Sequence, residues 1–461
     1  MTVSASAVTL GTSLIAYQRA PASSPGYWAP RPQALPWGPM ALPRTVVRLV
    51  SGQPGPPLHR RHGRLRSAVC AAAALPLFAG CATPAEGPAA AAPAPATTTA
   101  VTPAAPIAPL HGPLPAAPPG PVCGDNQALL AGLSTRDKLA QLLMVGVTGA
   151  ADARAVVADH HVGGIFIGSW TDLSMLSSGS LADIAGSSGP LALAVSVDEE
   201  GGRVSRLAPL IGSQPSPRVL AQSYSADDVY GIARDRGSKM RALGITIDFA
   251  PVADVTDASA NSVIGDRSFS ADPAVVTEYA GAYARGLRDA GVLPVLKHFP
   301  GHGNASGDSH TGGVVTPALA DVESYDLVPY RTLTAQAPVG VMVGHMEVPG
   351  LTGSDPASIS PAAYGLLRSG GYGGPPFAGP VFTDDLSSMR AVSARYGVAE
   401  AVLRALQAGA DTALWVTTGE VPAVLDRLES AVAAGELSMP AVDGSVLRMA
   451  AVKGPSPQCG G

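Results

Sequence analysis

Lysine is nearly missing from this chain, and charge of either sign is sparse. Four of the 30 basic residues are Lys, charged residues make up 14% of 461, and the formal net charge is −5. No Lys/Arg tract forms a stripe that would track phosphates, so a nucleic-acid partner is not expected. A Gly-rich phosphate fingerprint after the first strand is also absent. Gly201-Gly202 stands among Glu199, Glu200 and Arg203, which does not make a dinucleotide loop. Cysteine is scarce, with only Cys70, Cys81, Cys123 and Cys459. Hydrophobic residues, by contrast, reach 46%, ample for a sizeable core.

The first 122 residues read as lying outside the folded core. Residues 1–58 are rich in Pro, Gly, Ser and Ala with no sustained period, which suggests a disordered or misassigned N-terminal extension. Residues 59–81 read as a signal peptide: a basic stretch from Arg60 to Arg66, a small apolar run over 67–79, then Gly80-Cys81. The apolar run is too short to span a bilayer as a helix. Cys81 after Ala-Gly resembles a bacterial lipobox, with Phe78 in place of the usual aliphatic residue, and is the expected lipidation site. An ordinary signal peptide with an incidental Cys is the plainer alternative. Residues 82–122, almost entirely Ala, Pro, Thr and Gly, suit a stiff extended linker. The expected location is outside the cytoplasm, lipid-anchored at the cell membrane or secreted. Cys123 and Cys459 then bracket the domain, and in an oxidising compartment they are either a disulfide closing its ends or two unrelated thiols.

From residue 123 onward, eight apolar runs recur at fairly even spacing: 142–147, 164–168, 191–197, 245–252, 293–296, 340–343, 380–383 and 412–416. Helical patterns separate most of them, such as 134–143, opened by Ser134 with Asp137 three residues on, and 274–290. Strands alternating with helices imply parallel pairing. Eight units over 123–461 predict an α/β fold, a single (β/α)₈ TIM-type barrel, with an open doubly wound sheet as the runner-up.

A barrel of this kind carries its chemistry at the C-terminal ends of its strands. Asp198, Glu199 and Glu200 end the third run, Asp248 and Asp254 flank the fourth, and His345 and Glu347 follow the sixth. Asp384 and Asp385 end the seventh, but neighbouring strand residues face opposite ways, so only one aims at a ligand. The densest chemistry follows the fifth run: Lys297-His298-Phe299-Pro300-Gly301-His302-Gly303, then Gly307-Asp308-Ser309-His310. A metal site from His298, His302, Asp308 and His310 is not expected, because Pro300 and the glycines make a loop where a shared helix face would be needed. His302 is instead expected to brace the loop.

Taken together, Asp198-Glu-Glu-Gly-Gly-Arg-Val-Ser-Arg206, Ile264-Gly-Asp-Arg267-Ser-Phe, the Lys297–Gly303 and Gly307–His310 segments and Phe382-Thr-Asp384-Asp-Leu-Ser resemble glycoside hydrolase family 3. The match is to single-barrel β-N-acetylglucosaminidases of peptidoglycan recycling, covers most of 125–453, and, anchor included, is similar to exported mycobacterial lipoprotein members. Family members of the β-glucosidase type hold their acid/base on a further domain; the resemblance gives that role here to the Asp-Ser-His loop.

Carried over, the resemblance implies Asp384 as nucleophile and His310 as acid/base, oriented by Asp308. Asp198, Arg206, Arg267, Lys297 and His298 would bind the sugar. It implies no cofactor and no metal, a monomer, and GlcNAc-containing peptidoglycan fragments as substrate. The expected reaction is retaining exo-hydrolysis of terminal β-GlcNAc through a glycosyl-aspartate. An imidazole, with a reference pKa of about 6.5, suits both halves of that cycle. The alternatives are a β-glucosidase, a GlcNAc phosphorylase (phosphate meets less repulsion from an imidazole than from a second carboxylate), or a non-catalytic cell-wall-binding lipoprotein.

Overall fold

The computed structural model describes residues 126–189 and 191–453. The predicted extension, signal peptide, linker, Cys81, Cys123 and Cys459 lie outside the described residues. Within them, eight strands form one parallel sheet: β1 Leu143–Val147, β2 Gly164–Ile167, β3 Ala194–Val197, β4 Ile247–Asp248, β5 Leu293–Phe299, β6 Gly340–Val343, β7 Val381–Thr383 and β8 Ala413–Trp415. From β1 to β7 each strand pairs with the next in sequence, and β1 also pairs with β8, Leu143 opposite Ala413. A parallel bridge between Phe382 and Thr412 joins β7 to the approach of β8 and brings the sheet to near closure. This is the barrel that the eight runs predict.

The runs are unbroken because both faces of a parallel barrel strand are buried. On β2, Phe166 points into the barrel with Met144, Phe249, Leu293, Met342 and Phe382, while Ile165 and Ile167 face the helical layer. That layer comprises α1 Ala150–His160, α2 Ser180–Ala185, α3 Ala226–Ala242, α4 Pro273–Asp289, α5 Val328–Leu333, α6 Pro361–Ser369, α7 Val398–Ala408 and α8 Val421–Ala433. A last helix, α9 Met439–Lys453, packs Met449 and Val452 against the interior cluster. Val452 also lies beside Val339 and Pro380, which precede β6 and β7, so α9 closes the N-terminal end of the barrel.

Two boundaries depart from the sequence reading. The helix expected over 134–143 spans Thr135–Ala140: Ser134 caps it in a box with Asp137, and β1 takes the following apolar residues. β5 runs on to Phe299, so Lys297 and His298 are strand residues and not the start of a loop. β4 is conversely only two residues long; beyond it the Phe249 N–H donates to Val197 O, Ala250 O accepts from the Val295 N–H, and Val252 bridges to Lys297.

Candidate active site

All eight residues expected at the site line one cavity of about 280 Å³ at the C-terminal rim: Asp384, His310, Asp308, Asp198, Arg206, Arg267, Lys297 and His298. The barrel achieves this because the segments that carry them follow parallel strands and so emerge at the same end.

Below the cavity lies a lattice of buried charges. Lys297 Nζ donates to Asp198 Oδ1 at 2.6 Å and lies 2.7 Å from Glu200 Oε1. Arg267 grips Glu200 with two parallel bonds, Nε to Oε2 and Nη2 to Oε1, each 2.8 Å. Burial alone would push the Glu200 carboxyl up, but Arg267 and Lys297 outweigh it and hold it far below the usual carboxylate range. The same balance keeps Lys297 charged: burial works against the ammonium, while Asp198 and Glu200 raise its pKa. Buried ions persist only with such partners.

His298 is set by a carboxylate behind it. Its Nδ1 lies 2.6 Å from Asp254 Oδ2, and Asp254 Oδ1 accepts the His298 and His302 backbone N–H groups at 3.2 and 2.7 Å. His302 therefore fastens the loop start, with its Nε2 3.5 Å from Ser309 Oγ. Glu199 anchors the Gly-Gly ribbon: its Oε2 accepts the Arg206 and Leu207 N–H groups at 2.7 Å, and Arg236 pairs with its other oxygen. Arg206 lines the cavity wall, and its buried Nε has no partner among the described residues.

Asp384 follows β7 directly and is half-buried. Its Oδ1 accepts the Asp385 N–H at 2.9 Å. Burial favours the neutral acid, yet His345, His298, the Asp385 N–H and Lys297 prevail and hold its pKa down to about 2. Asp385 turns elsewhere, as strand alternation requires: its oxygens accept from the backbone and hydroxyls of Ser387 and Ser388. Buried His345 braces this corner, with Nδ1 2.7 Å from Ser358 Oγ and Nε2 2.8 Å from the Asp385 carbonyl oxygen.

His310 stands out from this packed environment, with 61% of its side chain exposed. Its Nδ1 lies 2.8 Å from Asp308 Oδ1, which also accepts the His310 N–H at 2.9 Å. An ionised carboxylate there assigns the ring proton to Nδ1 and leaves Nε2 for proton exchange. Partial burial would raise the Asp308 carboxyl, but the His310 N–H and imidazole lower it overall. The loop is tied by the Ser306–Val315 bridge and by the Ala391 N–H, which donates to Ser309 O at 3.1 Å.

The roles of Glu200, Asp254 and His345 were not assigned from sequence. A Lys and an Arg in buried motifs demand carboxylates of their own, and that demand was the available signal.

The chain matches the model for the N-terminal domain of glycosyl hydrolase family 3 over residues 134–452. It is 67% identical over 366 residues to the Beta-hexosaminidase LpqI of Mycobacterium tuberculosis, covering 79% of this chain and 92% of that protein. It resembles the crystal structure of a GH3 family member from Mycobacterium smegmatis at TM-score 0.71 and 78% identity, over 71% of this chain and 99% of that one. A family 3 β-N-acetylglucosaminidase from a Paenibacillus strain matches at TM-score 0.65 and 36% identity, over 70% of this chain and 62% of that one. The chain is a glycoside hydrolase and belongs to glycosyl hydrolase family 3.

Proposed function

We propose that this protein is a retaining exo-β-N-acetylglucosaminidase that removes terminal, non-reducing β-GlcNAc from peptidoglycan fragments. The observation that carries the reading is the pairing of unlike groups in one cavity: a carboxylate held ionised at Asp384 and an exposed imidazole backed by a carboxylate at Asp308–His310. The similarity to proteins named β-hexosaminidase supports the N-acetylhexosamine part of the reading.

In the first step an Asp384 oxygen bonds to the anomeric carbon as the glycosidic C–O bond breaks, and the departing oxygen takes the proton from His310 Nε2. In the second, water attacks that carbon, His310 Nε2 takes a water proton, and the bond to Asp384 breaks. Asp308 stabilises the imidazolium that alternates with the neutral ring. Lys297, Arg267 and Arg206 offer donors, and Asp198 an acceptor, to the hydroxyls of one ring. A cavity of about 280 Å³ is small beside the usual range of about 300–1,000 Å³, which suits one terminal sugar.

Release of p-nitrophenol from the β-GlcNAc and β-glucoside conjugates tests this. Preference for the first, abolished in Asp384→Ala, is expected; equal or better activity on the glucoside would make the protein a glucosidase. Sugar 1-phosphate formed in phosphate buffer would reveal phosphorolysis. For location, the reading is export with a lipid on Cys81, and intact mass of the mature protein, with and without reduction, tests both that anchor and the Cys123–Cys459 pairing.

A further inference from the structure

The end of the barrel opposite the catalytic cavity holds a larger one. It measures about 500 Å³ and lies between α6, α7 and α9, beside the residues that lead into β1 and β8. Leu142, Leu406 and Val442 are buried in its wall, while Gly365 and Ala441 are exposed at its mouth. The wall is mostly apolar. Two arginines, Arg368 and Arg448, nevertheless reach it, and no acidic side chain lines it among the described residues.

Behind the wall both arginines meet Asp411, fully buried just before β8. Its Oδ2 accepts from Arg368 Nη2 at 2.6 Å and from the Val381 N–H at 2.8 Å. Its Oδ1 accepts from Arg448 Nε and Ser445 Oγ, each at 2.8 Å. Four bonds saturate a carboxylate. One negative charge therefore serves two positive ones, and a surplus cation remains. Burial pushes the Arg368 pKa down; Asp411 opposes this, and the nearby Arg448 charge adds to it. Arg448 also has a donor to spare. Its Nη2 donates to Ser445 Oγ at 3.1 Å, but Nη1 makes no hydrogen bond among the described residues. Nη1 stands 3.5 Å from where a Cβ on Gly444, another wall residue, would lie, so it faces this cavity.

We infer that this cavity binds a monoanionic amphiphile of the fatty-carboxylate class, its head on Arg448 Nη1 and its chain along the leucine and valine wall. A single negative charge cancels the surplus, and a buried cation gains most from an ionised acceptor that replaces water. The wall in turn rewards an apolar chain over a polar body. The volume falls in the range of about 300–1,000 Å³ usual for small-molecule sites. Entry is open at Gly365, where an added Cβ would meet nothing within 4 Å. The inference is independent of the proposed glycosidase reaction, whose cavity lies at the other end of the barrel.

Isothermal titration of the full chain with decanoate, decanol and acetate tests the assignment. Decanoate should bind saturably, at least about tenfold more tightly than decanol, which lacks the charge, or acetate, which lacks the chain. Arg448→Gln should weaken decanoate by about tenfold or more. That change also disturbs Asp411, so a second variant leaves the charges alone. Gly365→Leu puts a side chain into the open mouth, at a helix position that leucine suits better than glycine. It should weaken decanoate by about tenfold or more with no loss of melting temperature. Absence of saturable decanoate binding, equal affinity for decanol or acetate, or wild-type affinity in either variant would overturn the site.

Discussion

The two halves of the catalytic rim are built in opposite ways. The side formed by β3, β4 and β5 is a buried lattice in which Lys297, Arg267 and His298 each face a carboxylate within 2.8 Å. The opposing loop carries His310 largely in solvent, held by one carboxylate and a few backbone bonds. Binding a hydroxylated ring needs donors that do not move. An acid/base that serves first a leaving oxygen and then water needs access and a mobile proton. On the proposed function, the rigid half would serve recognition and the exposed one proton transfer, with Asp384 at the rigid edge.

The largest effect should come from removing that edge. On the proposed covalent mechanism, Asp384→Ala should lower kcat by about 10⁴-fold or more, with no gain from an activated leaving group. With Asp384 ionised down to about pH 2, any acid limb of kcat/KM between pH 4 and 7 must belong to another group; a limb near pH 4 that disappears in an Asp384 variant would contradict this.

Next comes the exposed half. His310→Ala should cost about 10²–10⁴-fold, and an activated leaving group such as dinitrophenol should partly restore the first step. Equal losses for good and poor leaving groups would break the division of labour. Folding stability should barely change, since the side chain is mostly in solvent.

The rigid half should respond in the reverse manner. Glu200→Gln leaves Lys297 and Arg267 buried beside an uncharged amide, and breaking such a buried pair typically costs about 3–5 kcal/mol. Chemical denaturation should show that loss, along with a raised KM. A variant of wild-type stability would mean that the lattice is dispensable.

The smallest effect concerns the ground under the loop. Asp326 is buried against Gly301, where an added Cβ would meet it at 2.4 Å, and it accepts from Asn304 Nδ2 at 3.1 Å. Burial pushes its pKa up to about 7, despite the Asn304 bond. The folded value exceeds the unfolded one near 3.8, so the stability it confers is complete below about pH 4 and is lost as pH rises through about 7. Asp326→Asn should therefore raise the melting temperature at pH 8 more than at pH 5. An unchanged difference between the two pH values would rule out Asp326 as the titrating group.

How much of this was legible in the sequence depended on what each residue needed from its surroundings. The barrel strands were readable because burial on both faces leaves continuous apolar runs, as in 340–343 and 412–416. Lys297 and His298 looked like a loop because their polarity masks a strand whose charges are neutralised from β3 and β4. That Asp384 and His310 share one cavity was legible from the motifs, since both follow apolar runs that end at the same rim. Glu200, Asp254 and His345 act through partners between 13 and 97 residues away, and no local pattern encodes that. Nor does sequence reveal exposure, which is what separates Trp170 from the buried Trp415.

The meeting of β1 with β8 carries a further consequence. These strands begin 270 residues apart, and until they join, the sheet has two bare margins of unpaired N–H and C=O groups. A chain cut short before Ala413 would keep the cavity-bearing strands yet expose both margins, inviting other copies to add themselves there. Such a truncation should therefore be lost to aggregation rather than persist as a weakened enzyme, because the molecule lacks a protected perimeter until its last strand is in place.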